Sequence, residues 1–199
     1  MLMIPRGALR PFFLAGCLTT ASVILPAAPA SAGPIVLGTW YEFGFSDTLT
    51  PATGCFPDDP AGIFCTSSSG TPTTNLDAPP WTFAAGSVVL TVVDAFENGD
   101  VFEIFDFGVS IGVTSAPGRP ADCGDDPVPC LLNAEMSKGL FNLAAGPHSL
   151  TIMPTQSPGG LGAAYLQVSA AAVPEPMTAF LLGSGLAVFG LRRSRRARR

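Results

Sequence analysis

Short apolar runs broken by turn residues fill the chain between Ile35 and Ser169. They are Ile35–Phe45, Trp81–Ala84, Ser87–Asp94, Val101–Asp106, Val109–Thr114, Leu140–Ala144, His148–Met153 and Ala163–Ser169. Each is rich in β-branched or aromatic side chains and bounded by Gly, Pro, Asn or Asp, which is the pattern of strands. The clearest stretch is "LTVVDAFENGDVFEIFDFGVSIGVTS", Leu90 to Ser115. Val88, Leu90 and Val92 fall on one face of a strand, and Val89, Thr91 and Val93 on the other. Turns at Glu97-Asn98-Gly99 and Asp106-Phe107-Gly108 then fold it into a three-strand meander. No long stretch has helical period. "LLNAEMSKG" predicts one short helix near Leu131–Lys138, and Thr66 to Leu76 reads as a Ser/Thr/Gly loop. The expected fold is mainly β: an antiparallel β-sandwich, jelly-roll-like, over residues 33–170.

The two ends of the chain do not fit that domain. Arg6 and Arg10 make a basic start, Pro11 to Leu25 is largely apolar, and Ala30-Ser31-Ala32 is a small-residue cleavage site. This is the layout of a secretory signal peptide over residues 1–32, cut between Ala32 and Gly33 by signal peptidase. A second reading makes Leu14-Ala15-Gly16-Cys17 a lipobox with Cys17 lipidated. Against it, few apolar residues separate Arg10 from Cys17, and the chain stays apolar and uncharged from Leu18 to Leu25.

Residues 171–199 carry Val173-Pro174-Glu175-Pro176, then uncharged Met177 to Leu191, then Arg192, Arg193, Arg195, Arg196, Arg198 and Arg199. As a transmembrane helix the apolar part would rise about 22 Å against a hydrocarbon core of about 30 Å, short for a permanent span. The prolines suit a helix start, and the arginines favour the cytoplasmic side. Motif, span and basic end, in this order, resemble the sorting signal of PEP-CTERM proteins, exported proteins of Gram-negative bacteria that make extracellular polysaccharide. The resemblance implies that a membrane-embedded exosortase reads Val173–Pro176, cuts near it and passes the protein outward. Anchoring in the inner membrane is then transient, ending at the cell surface or in the extracellular matrix. "FNLAAGPHSLTI" and "GAAYLQVS" extend the resemblance to the exported β-domains of such proteins, which brings no activity with it.

Charge sharpens this picture. Between residues 33 and 172 there are 14 acids against Arg119 and Lys138, a net of −12. Such a surface repels nucleic acid. Once Cys17 is removed, Cys55, Cys65, Cys123 and Cys130 remain, and an even number in an exported chain reads as two disulfides. Three connectivities are open. Cys55–Cys65 and Cys123–Cys130 is preferred, because each pair brackets a short Pro- and Asp-rich loop; each bridge would stabilise by about 2–3 kcal/mol.

Candidate chemistry is sparse. His148 is the single histidine, expected at the surface of a strand, and no G-x-S-x-G elbow accompanies it. No catalytic constellation is identified. Asp94, Glu97, Asn98, Asp100 and Asp106 crowd the ends of one predicted hairpin. Calcium takes six to eight oxygens of this kind, so Asp94, Glu97, Asp100 and Asp106 are candidate Ca2+ ligands. Equally, they serve as solvated turn acids. Trp40, Tyr41, Trp81 and Tyr165 would stack on sugars if they shared an exposed face, while Trp40 and Trp81 are expected in the core. The functional expectation is an exported, non-catalytic structural or polysaccharide-associated protein. The alternative is a secreted hydrolase acting on matrix polysaccharide through Asp and Glu.

Overall fold

A computed structural model describes residues 34–171. The signal segment, its cleavage point, the Val173–Pro176 motif, the apolar span and the arginine tail lie outside the described residues. In chain order the elements are β1 (Trp40–Phe45), β2 (Cys55–Phe56), β3 (Ile63–Phe64), β4 (Thr73–Asn75), β5 (Trp81–Ala85) and β6 (Val88–Asp94). They continue with β7 (Val101–Asp106), β8 (Val109–Val113), α1 (Pro127–Leu132), β9 (Lys138–Leu143), β10 (Gly146–Gln156) and β11 (Gly162–Ala170). The protein is mainly β, with largely antiparallel sheets. One sheet has the order β4-β1-β11-β6-β9 and the other β5-β10-β7-β8, while β2 and β3 form a small parallel pair.

All eight expected strands are present, with shifted ends. The first starts at Trp40 rather than Ile35. Gly38 takes a positive φ of 81° there, and Thr39 N donates to Val36 O, so a turn occupies the segment. The helix is a correction: it spans Pro127–Leu132 rather than Leu131–Lys138. Asp126 caps its N-terminus by accepting from Val128 N at 3.0 Å, and two prolines occupy its first turn. These are helix-start signals that also read as turn residues. Lys138 opens β9 instead. The expected loop Thr66–Leu76 contributes β4, which pairs in parallel with β1 through Trp40 opposite Thr73.

Alternation explains the main core. Phe43 and Phe45 of β1, Leu90 and Val92 of β6 and Leu166 and Val168 of β11 face Trp81, Phe102, Ile104, Leu150 and Ile152 of the second sheet. Phe102 sits at the middle, its ring 5.7 Å from Phe43 and 5.2 Å from Phe45 in edge-on contacts. The opposite face of the five-stranded sheet is covered as well, and there Glu42 and Thr91 are buried beside apolar side chains. Trp40, Val93 and Tyr165 join Ala95, Cys130 and Met136 in a second core on the opposite face. That core is roofed by α1 and by loops closed through Cys55–Cys65 and Cys123–Cys130, the preferred pairing. Gly54 lies so close to the Leu76 and Asp77 backbone that any Cβ there would overlap it.

Two stability measurements follow. Phe102→Ala should cost about 3–5 kcal/mol in urea unfolding, the range for removing a buried aromatic ring. Gly54→Ala should cost about 1–3 kcal/mol, because backbone must move to admit a methyl group. A neutral Gly54→Ala would contradict the close approach of these loops.

Candidate functional site

Asp94 ends β6, is fully buried and organises the turn that follows. Its Oδ1 accepts from Ala95 N at 2.9 Å, and its Oδ2 from Gly99 N and Asp100 N at 3.0 Å each. Burial, and then the neighbouring Asp100, push its carboxyl up to about 8 against those three amides. Burial also raises Asp100, opposed by hydrogen bonds with Ser157 and Asp94. Beside them opens a cleft of about 480 Å³, lined by Phe96, Glu97, Asp100, Asp122, Pro158 and Leu161 among others. Asn98 also lines the cleft, but its side chain is engaged by backbone. Its side-chain amide donates to Arg119 O and Glu135 O at 2.8 Å and accepts from Ala121 N at 3.0 Å, pinning the loop that carries Cys123.

The four sequence-predicted metal ligands are thus divided. Asp94 and Asp100 are adjacent, and Glu97 lines the same cleft. Asp106 stands at the far end of β7, engaged with His148. Among the described residues no group of three or more His, Cys, Asp or Glu side chains is arranged to hold a metal ion. The adjacent pair can hold a proton, and Asp94 itself is committed to the turn.

His148 is a correction. Expected at the surface, it is 7% exposed. Its Nδ1 lies 2.7 Å from Asp106 Oδ2 and its Nε2 2.9 Å from Ala144 O, while Asp106 Oδ1 accepts from Ser149 N. The ring packs on Phe83 with centroids 4.9 Å apart. Every polar atom of the pair is directed at protein, which makes it a clamp between β7 and β10.

A second acidic group is one that sequence reasoning missed. Glu42 lies in "WYEFGF" and is fully buried on the outer face of β1. Its Oε1 accepts from Thr66 N at 3.2 Å, and its Oε2 has no hydrogen-bond partner. Burial pushes this carboxyl up to about 7; the Thr66 amide opposes the shift and the Asp125 charge adds to it. Tyr165 is buried nearby and donates its hydroxyl to Asp125 O at 2.8 Å. Burial holds that phenol well above its usual range, with Glu42, Asp125 and Asp126 adding to the effect. The signal in the sequence is a lone acid inside an apolar strand.

The aromatics resolve as core. Trp40, Tyr41, Trp81 and Tyr165 are all buried, so they form no exposed sugar-stacking row. Among the described residues the exposed rings are instead Phe56 and Phe64, in contact at 4.8 Å on the Cys55–Cys65 loop, and Phe107 at the β7–β8 turn. No family model matches this chain, no curated protein matches it, and no solved structure matches it.

The buried acids set a pH dependence. The carboxyls of Glu42 and Asp94 are raised from ordinary values of 4.5 and 3.8 to about 7 and about 8. The folded state therefore keeps protons that the unfolded chain has released, and stability is lost as pH rises across that interval. Asp126, held low chiefly by the Val128 amide, acts oppositely and only in more acid solution. Urea unfolding should show the domain roughly 3–6 kcal/mol more stable at pH 5 than at pH 8, since a tenfold difference in proton affinity between folded and unfolded chain corresponds to about 1.4 kcal/mol and solvent screening reduces the full sum. Glu42→Gln should remove part of that slope. Stability that rises from pH 5 to pH 8 would contradict the burial of these acids.

Proposed function

We propose that this is an exported cell-surface or matrix protein, sorted by its C-terminal segment and processed by an exosortase, with a structural, non-catalytic role near extracellular polysaccharide. The observation that carries this reading is the sequence of the tail: Val173–Pro176, then an uncharged span short for a permanent anchor, then six terminal arginines. Two disulfides on one small domain support it, since such bonds persist in oxidising compartments. The strand orders β1-β11-β6-β9 and β5-β10-β7-β8 support reading the domain as an eight-stranded jelly-roll sandwich, a scaffold suited to display. Its acidity suits neutral glycans better than anionic polymers.

Hydrolysis of matrix sugar through Asp and Glu is the second reading, and the acid-lined cleft at Glu97, Asp100 and Asp122 favours it. It is weakened by Asp94, whose oxygens are occupied by backbone amides rather than free to face a substrate.

The sorting proposal is tested by fusing residues 173–199 to an exported reporter in a strain with an exosortase. The reporter should be released outward only when both tail and enzyme are present, and Glu175→Ala should leave it in the inner membrane. A reporter that stays membrane-bound in every case would contradict the proposal.

A further inference from the structure

The segment after Cys65 and the Cys123–Cys130 loop meet beside Glu42, which accepts from Thr66 N and feels the Asp125 charge. Ser69 Oγ donates to Asp125 Oδ1 at 2.6 Å, and Thr71 N donates to Asp126 Oδ2 at 3.1 Å. Between them Gly70 lies so close to the Asp126 carboxylate that a Cβ would overlap it. The segment after Cys65 is therefore fastened to the Cys123–Cys130 loop by acids of the latter. Directly beneath, Glu42 is sealed from solvent with one oxygen unpartnered. The charged or titratable groups that face it are Asp125, from the second loop, and the Tyr165 hydroxyl, from β11. Asp126 lies further along the same loop and acts on Tyr165. None of these is a cation. A carboxylate buried with a single donor, here Thr66 N, and no counter-charge is costly, whereas the protonated acid is tolerated.

We propose that this junction is a proton-operated latch, with Glu42 as the group that takes the proton. With the proton bound, the carboxyl stays buried and both loops remain closed over the second core. When the proton passes to solvent, the carboxylate draws water inward and is repelled by Asp125. The Ser69–Asp125 and Thr71–Asp126 contacts then part, and the cover over Trp40 and Tyr165 loosens. Because burial holds this carboxyl near neutrality, the latch works across the interval between mildly acid and mildly alkaline surroundings. The sheets themselves stay folded, because the bonds that open belong only to the cover.

Hydrogen exchange on the full chain, read by mass spectrometry with intrinsic rates corrected, tests this between pH 6 and pH 8. Protection of the segments 66–72 and 123–126 should fall by about tenfold or more, while that of β6 and β11 holds, as expected for a local opening. Glu42→Gln should keep the two segments protected throughout, and Asp94→Asn should leave the wild-type decline in place. Protection independent of pH in the wild type, or a decline that Asp94→Asn removes and Glu42→Gln does not, would overturn the latch. A 13C titration of the Glu42 carboxyl in the wild-type chain needs no variant. Its midpoint should lie near neutrality and coincide with a shift of the Thr71 amide. A midpoint near an ordinary glutamate value would overturn the proposal.

Discussion

The central strands of the five-stranded sheet are buried on both faces, so the sheet is covered twice. β1 is buried at all six positions, and β6 and β11 are buried at most of theirs. The second sheet supplies one cover by ordinary face-to-face packing around Phe102. The opposite face is the harder problem, because among the described residues it is met only by the short β2-β3 pair, helix α1 and loops. Loops lack the repeating hydrogen bonds that make a sheet self-supporting, so they must be fastened by other means. Here the fastenings are two disulfides, the six-residue helix α1 and a set of side chains that accept backbone N–H groups.

Acids do most of this fastening, which accounts for a net charge that is otherwise hard to reconcile with a compact domain. Asp94 gathers three amides to shape the turn after β6, and Asp126 caps α1 while holding Thr71. Asp59 accepts from Gly54 N and Ala61 N inside the first cysteine loop. A carboxyl group offers two oxygens that can each accept more than one hydrogen bond, so it can define a loop by gathering several amides. The same choice leaves Glu42 and Asp94 buried without a counter-charge. Burial raises both carboxyls toward or above neutrality.

The strands were legible because their alternation, their β-branched content and the Gly, Pro and Asp between them all point the same way. The disulfide partners were legible from loop length. The cover was not, because its members carry no period. Pro127-Val128-Pro129 looks like a turn until Asp126 is seen capping it. His148 reads as a surface residue because nothing local reveals that Asp106, 42 positions earlier, lies beside it. The calcium candidates illustrate the same gap. Spacing places Asp94, Glu97, Asp100 and Asp106 near one hairpin, but the strand β7 carries Asp106 to the opposite end from Asp94. Glu42 stands out only as an acid among aromatics, and its neighbours come from loops remote in sequence.

A domain whose exposed loops are locked by disulfides and whose ends read as export and sorting segments suits a protein that works outside the cell. The sorting segment is the central functional claim, and intact mass of the native protein in strains with and without the exosortase tests it most directly. Residues 1–32 should be lost in both strains, and the chain beyond about Pro176 only where the exosortase is present. An arginine tail retained in both strains would mean a permanent anchor and would contradict the account.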